Sequence, residues 1–319
     1  MSPETQQTDQ TNRPREEKTP RKAGRFAPSP SGDMHIGNLR TATLAWIWAK
    51  QSNRDFVVRV EDIDRVKKGA AQRQLEDLTT LGLTWDGDAL YQSSRRDAHL
   101  QAIETLKEKG LLFECYCSRK EIAEASSAPH ARPGFYPRTC AELTESQRET
   151  KRAELAATNR APALRLRPRV TEWTIQDELF GTVTERIDQV VLQRGDGILA
   201  YNLAVVVDDA WQNVDQIVRA DDLLSSAPAQ AYIAHELGYS PFTYAHVPLV
   251  LSTTGARLAK RDGAVTLREL LSHGWSVTRV IEEIAASLGF TAHTLEELCE
   301  VFDATQMNRE SWTFIPPEA

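Results

Sequence analysis

The 319-residue chain reads as an α/β protein: a doubly wound parallel (Rossmann-like) sheet, interrupted by an insertion and closed by a small C-terminal helical subdomain. Two observations lead there. Compact apolar runs such as Phe56–Val60 have the length of buried strands and alternate with amphipathic helical stretches, the pattern of a parallel sheet covered on both faces. The same texture occurs twice, on either side of a compositionally different segment, 113–186. A chain of this size buries about three quarters of its unfolded surface, and with 41% hydrophobic and 26% charged residues it can do so without disulfides.

Residues 1–23 are polar and rich in Gln, Thr, Pro and charge; they predict a disordered tail. Their lack of an apolar core excludes a secretory signal. Order is expected from Gly24. Arg25–Ala27 reads as a strand, Pro28–Gly32 as a turn, and Asn38–Gln51 as a helix whose apolar face carries Leu44, Ile47 and Trp48. Phe56–Val60 is a buried strand, and Ala70–Leu81 and Arg95–Lys109 are amphipathic helices. These complete a first half of the nucleotide-binding fold, 24–112. The insertion, 113–186, holds three cysteines, a Ser/Pro/Arg loop and a short strand at Ala163–Arg167. In the second half, 187–265, the buried-run texture returns at Ile187–Leu192, Tyr201–Val207 and Ile217–Arg219. A helix at Ala227–Leu237 and a strand at Val247–Leu251 follow, and 266–319 form the helical subdomain. Apolar runs such as Leu203–Val207 fall far short of the roughly 20 residues of a membrane span. A net charge of −7 and a pI near 5.6 exclude a uniformly basic nucleic-acid coat but not a local basic groove. Four cysteines are too few for a disulfide scaffold, so a reducing cytoplasm is the expected setting.

Two segments carry chemistry. Arg25-Phe-Ala-Pro-Ser-Pro-Ser-Gly-Asp-Met-His35-Ile-Gly37-Asn38 joins a strand end to a helix start through a Pro/Gly turn. Helix N-termini favour anions, and a triphosphate is a natural guest. Late in the chain, Arg257-Leu-Ala-Lys260-Arg261-Asp-Gly263 sets a lysine in a Gly-flanked loop, able to neutralise charge on a departing phosphate. Taken singly, each is also compatible with an ordinary loop or a solvated basic turn.

In this order the two resemble the signatures of class I aminoacyl-tRNA synthetases, in the glutamyl version. Three further blocks match in sequence: Val58-Arg-Val-Glu61-Asp62-Ile-Asp64, Arg194-Gly-Asp-Gly-Ile-Leu-Ala-Tyr201-Asn-Leu-Ala-Val-Val-Val-Asp208-Asp209, and Ile217-Val-Arg219-Ala-Asp-Asp-Leu. The resemblance covers about residues 24–290. Only residues 261–319 follow Lys260, less than an anticodon-binding region needs. The nearer likeness is therefore to the glutamyl-Q tRNA(Asp) synthetase branch, the stand-alone catalytic-domain paralogues. Leu83-Thr-Trp-Asp86 and Tyr136-Pro-Arg-Thr-Cys140 support it.

The resemblance implies ATP-dependent activation of L-glutamate and its transfer to queuosine in the anticodon loop of tRNA(Asp), by a cytoplasmic monomer with Mg²⁺ accompanying the nucleotide. The alternatives are a minimal glutamyl-tRNA synthetase charging the 3′ end of tRNA(Glu), and a non-catalytic glutamate/ATP-binding regulator. By the same resemblance His35 and Lys260 are catalytic, and His35, Gly37 and Lys260 hold ATP. Glutamate falls to Arg25, Phe26, Ala27, Pro28, Ser29, Glu61, Tyr201 and Arg219: arginines for the γ-carboxylate, Tyr201 donating to it, and Glu61 for the α-ammonium. The competing reading for the arginines is internal ion pairing with Asp62, Asp64 or Asp209. Three positions depart from the pattern: Asn38 stands where His is frequent, Ala259 where Ser is common, and Arg261 is more like the full-length enzymes.

Cys115-Tyr-Cys117 and Cys140 cluster in the insertion. Zinc takes four ligands, chiefly thiolate or imidazole; buried apolar thiols are the other reading. Ligand chemistry favours His130 as the fourth, and the family pattern Cys, Cys, Tyr, Cys favours Tyr136; Tyr136 is chosen, giving one structural Zn²⁺ per chain and a zinc-containing insertion. Arg165, Arg167 and Arg169 alternate and would share one strand face if the strand ran through Pro168, by default a solvated face and in the sharper reading a contact with a tRNA backbone.

Overall fold

The computed structural model describes residues 21–118, 120–122, 136–258 and 265–317. The chain opens with β1 (Ala23–Phe26), α1 (Ile36–Gln51), β2 (Asp55–Val60), α2 (Ala70–Leu81), β3 (Leu90–Tyr91), α3 (Arg96–Glu108) and β4 (Leu112–Cys115). It continues through α4 (Glu145–Ala156), β5 (Ala163–Leu166), β6 (Glu172–Asp177), β7 (Gly181–Arg186), β8 (Val191–Gln193), α5 (Tyr201–Trp211), β9 (Val214–Ala220) and α6 (Ala227–Glu236). Last come β10 (Thr243–Val247), β11 (Val250–Leu251), α7 (Leu267–Ser272), α8 (Val277–Ser287), α9 (Leu295–Val301) and β12 (Trp312–Thr313).

The main sheet has the order β3-β2-β1-β9-β10-β6-β7. Every neighbouring pair is parallel except β6 and β7, so the sheet is mixed but dominated by parallel pairing. Strand order reverses between β1 and β9. In such sheets the crevice for a ligand opens at the C-terminal ends of those two strands.

Both faces are covered. Leu44 and Ile47 of α1, Leu78 of α2, and Ile281, Ile284 and Leu298 of the C-terminal helices form one core. On the other face Ile103 and Leu106 of α3 meet Leu203 and Val206 of α5 and Ile233 of α6. The C-terminal segment thus shares the core of the first half. A three-stranded antiparallel sheet, β4-β5-β8, stands apart and carries a small cluster of Phe113, Cys115, Tyr136 and Leu155. Among the described residues no helix is long and apolar enough to cross a membrane.

Several local expectations shift. Order begins before Gly24: Ala23 is buried and pairs with Asp55, while residues 1–20 lie outside the described residues. Tyr201–Val207 carries strand texture, yet it is the start of a helix, because α5 packs against the second core with Leu203 to Val207 all buried. An apolar run buried all round has no period to read. Val247–Leu251 is two strands, since Pro248 and Leu249 separate β10 from β11. Within 113–186, the hairpin β6–β7 extends the main sheet instead of standing with β4 and β5.

Candidate active site

A cleft of about 1040 Å³ opens where the topology predicts, lined by the loop after β1, the start of α1, Glu61 at the end of β2, Tyr201 at the start of α5, and Arg219 on β9. The loop Phe26–Ser29 and His35 face the same space. Glu61 is tied to this loop: its backbone N–H donates to Pro28 O at 3.0 Å.

His35 is the N-cap of α1, and Asn38 serves it. The Asn38 side-chain oxygen accepts the His35 backbone N–H at 3.1 Å, completing a reciprocal cap. Gly37 is required by contact, not by backbone angle. A Cβ there would lie 2.9 Å from His35 Nδ1 and 3.1 Å from Val250 Cβ, so only glycine lets the ring lie against the first helical turn. The flanks of the second signature adjoin this turn. Ile36 N–H donates to Val265 O at 2.8 Å, His35 forms a bridge with Thr266, and Leu258 lines the cleft. Lys260 itself, with Ala259 and Arg261, lies outside the described residues.

Beneath the cleft sits a buried charge cluster. Arg25 Nη1 donates to Val218 O at 2.9 Å, next in sequence to Arg219, and its Nε lies 3.4 Å from Asp209. The two arginines are therefore adjacent, although Arg25 sits below the cleft wall and Arg219 on it. Asp209 also accepts from the fully buried Arg59 at 2.7 Å, and Arg59 lies 3.5 Å from Glu61. Burial pushes the Glu61 carboxyl above the ordinary range, against the pull of Arg59 and Arg25. Internal pairing with Asp209 thus holds for Arg25. It fails for Arg219, whose donors go to His246 Nε2, Gln230 Oε1 and Leu223 O and to no carboxylate among the described residues. Asp62 and Asp64 are occupied elsewhere, by Ser93 and by Arg194. Arg25 and Arg59 thus share Asp209, with Glu61 beside Arg59, whereas Arg219 lines the cleft with no carboxylate in contact among the described residues.

The thiol cluster also assembles. The sulfurs of Cys115, Cys117 and Cys140 lie within 4.8 Å of one another. The Tyr136 hydroxyl stands 3.3 Å from Cys115 Sγ and 3.8 Å from Cys117 Sγ. A hydrogen bond from Cys115 draws the Cys140 thiol below its usual range and lifts that of Cys115 itself. His130 lies outside the described residues. Three convergent sulfurs are a donor set that suits zinc, and the Tyr136 hydroxyl lies beside them.

The arginine stripe does not form. β5 ends at Leu166, before Pro168. Arg165 turns inward, donating to Gln189 O at 2.8 Å and stacking 3.9 Å from the Tyr136 ring. Arg167 is held by Ala141 O, and Arg169 by Lys109 O. Arg165 therefore supports the thiol cluster and is not available to RNA. Sequence reasoning missed Gln230 and His246, which hold Arg219 from another helix and another strand, and Asp177, which holds His246 from a third strand. The nearest signal was the apolar run ending at Val218, which left Arg219 a charge inside a buried strand.

Residues 23–314 match the family described as tRNA synthetases class I (E and Q), catalytic domain, and the chain belongs to that family. It is 53% identical over 290 residues to the glutamyl-Q tRNA(Asp) synthetase of Nocardia farcinica (strain IFM 10152), an alignment covering 91% of this chain and 92% of that protein. It is 36% identical to the glutamate–tRNA ligase of Azorhizobium caulinodans, covering 91% of this chain but 62% of that one. The crystal structure of a glutamate tRNA ligase from Elizabethkingia meningosepticum CCUG26117, in complex with its amino acid, superposes with a TM-score of 0.77 at 21% identity. It covers 92% of this chain and 67% of that one, a likeness of fold.

Proposed function

We infer that the chain is an ATP-dependent ligase that activates L-glutamate as glutamyl-adenylate and transfers glutamate to queuosine in the anticodon loop of tRNA(Asp). The observation that carries the substrate is the buried Arg219, which lines the cleft with the His35 turn and contacts no carboxylate among the described residues. The glutamyl-Q tRNA(Asp) synthetase relatives support this choice of acceptor.

The α-carboxylate of glutamate is ionised at neutral pH, its reference pKa being about 3.5. Its oxygen attacks the α-phosphorus of ATP, the bond to pyrophosphate breaks, and no general base is required. Catalysis rests on positioning and on charge neutralisation. His35 and Gly37 cradle the nucleotide at the start of α1, and Lys260 meets the pyrophosphate charge, with Mg²⁺ accompanying ATP. Arg219 takes the γ-carboxylate, with Arg25 reinforcing the positive potential from below. Tyr201 donates a hydrogen bond to the ligand, Glu61 receives the α-ammonium, and Phe26–Ser29 form the wall. A hydroxyl of the acceptor nucleoside then attacks the activated carbonyl and AMP departs.

Cys115, Cys117, Tyr136 and Cys140 would hold one zinc ion, which would tie β4 to the loop before α4. Its role is structural. The enzyme works as a cytoplasmic monomer.

The test is transfer of labelled glutamate, with ATP, to tRNA(Asp) containing queuosine. Label on that tRNA and none on tRNA(Asp) lacking queuosine supports the reading. Label confined to the 3′ end of tRNA(Glu) establishes the minimal glutamyl-tRNA synthetase instead. Absence of glutamate-dependent exchange of pyrophosphate into ATP would leave only the non-catalytic binder.

A further inference from the structure

We propose that Gln230, His246 and Asp177 are positioning residues that keep Arg219 charged but unneutralised, so that the cleft selects a ligand side chain carrying a full negative charge. The proposal rests on the reading that Arg219 receives the side-chain carboxylate of glutamate.

Arg219 is 4% exposed, and a charge that deep ordinarily has a charged partner. Arg25 and Arg59 follow that rule, both against Asp209. Arg219 does not. Its Nε donates to His246 Nε2 at 3.0 Å, its Nη1 to Gln230 Oε1 at 2.7 Å, and its Nη2 to Leu223 O at 3.4 Å. All three acceptors are neutral. They fix the planar fork in one orientation and satisfy part of its donors, yet leave the charge for whatever enters the cleft.

Two of the acceptors are themselves held in the required state. Nε2 of His246 accepts only if the ring proton sits on Nδ1, and Asp177 Oδ2 lies 2.6 Å from Nδ1. Burial holds His246 below the usual imidazole value, with Arg219 acting in the same direction and Asp177 opposing. Asp177 is anchored in turn: Oδ1 accepts the N–H groups of Leu179 and Phe180, and Oδ2 that of His246. The β6–β7 hairpin, added to the edge of the main sheet, thereby reaches Arg219 through His246. Gln230 is oriented from its other end, its Nε2 donating to Asn202 Oδ1 at 2.9 Å. A glutamate at 230 would have the same shape and make the same bond to Arg219, but would cancel the charge. Hydrogen bonds to an ionised partner are roughly twice as strong as neutral ones. A carboxylate ligand therefore gains most over a carboxamide of equal shape while no carboxylate of the protein touches the Arg219 guanidinium.

The experiment compares Gln230→Glu, His246→Leu, His246→Gln and Arg219→Gln in glutamate-dependent pyrophosphate–ATP exchange, with circular-dichroism melts as a folding control. Gln230→Glu is expected to raise KM for glutamate about tenfold or more, with kcat and KM for ATP within about threefold, and to narrow the preference for glutamate over glutamine by a similar factor. His246→Leu should raise KM for glutamate, and His246→Gln, which restores an acceptor, should recover most of that loss. If Gln230→Glu does not fold, the two His246 variants decide. An unchanged glutamate KM in Gln230→Glu and His246→Leu, while Arg219→Gln loses glutamate use, overturns the proposal and spares the reading beneath it. An unchanged KM in Arg219→Gln overturns both.

Discussion

Replacing Asp209 by Asn is the most informative single change beneath the cleft. Asp209 is 1% exposed at its side chain and lies 2.7 Å from Arg59 and 3.4 Å from Arg25. Asn keeps the shape and one acceptor, and removes the charge from between two guanidinium groups. Glu61, 3.5 Å from Arg59, then becomes the only carboxylate within salt-bridge distance of either arginine among the described residues. A charge pair near 4 Å contributes about 4 kcal/mol at an effective dielectric constant of about 20. Loss of one partner of a buried pair costs about 3–5 kcal/mol in practice. The two figures agree, so the variant should lose about 3–5 kcal/mol in urea unfolding followed by circular dichroism, read from the midpoint at unchanged m-value. Because α5 carries Asp209 at the back of the site, glutamate-dependent pyrophosphate exchange should fall as well. A stability loss under about 1 kcal/mol, with exchange intact, would refute the charge-cluster argument.

Gly37→Ala sets about 1 kcal/mol of gained helix propensity against about 1–3 kcal/mol of overpacking. The melt should move little, while KM for ATP rises as His35 is displaced; equal KM values would remove the reason given for glycine here. Zinc content by plasma emission spectroscopy should be near one per chain and fall in Cys115→Ser and Cys140→Ser; unchanged content would reject the four-ligand site. For pH, His246 faces Asp177, Arg219, Tyr244 and the charge of Arg25, and its folded value lies below the unfolded 6.5. Below pH 6.5 the unfolded ring binds a proton that the folded ring does not, so stability falls as pH drops through that window. The fall should be shallower in His246→Gln, and identical slopes from pH 7 to 5 would contradict it.

Part of the sheet was legible because β2 carries a compact apolar run and β9 the Ile217–Val218 pair, and because the His35 turn and Arg219 lie at the C-terminal ends of β1 and β9. What failed did so for identifiable reasons. Leu203 to Val207 of α5 is an unbroken buried apolar run, so Tyr201–Val207 offered no period to tell helix from strand. Alternation suggested that Arg165, Arg167 and Arg169 shared an outer face, yet Tyr136 and the carbonyls of Gln189 and Ala141 take two of them inward. Asn38, a departure from the family pattern, acts as a local cap. The Asp177–His246–Arg219 chain joins three strands, and no local pattern reports such a contact.

A crystal structure with L-glutamate bound tests the central reading most directly. The account expects the side-chain carboxylate within about 2.7–3.2 Å of the Arg219 guanidinium, with the α-carboxylate turned toward the His35 turn. A glutamate seated in the cleft with its side chain directed away from Arg219 would contradict it.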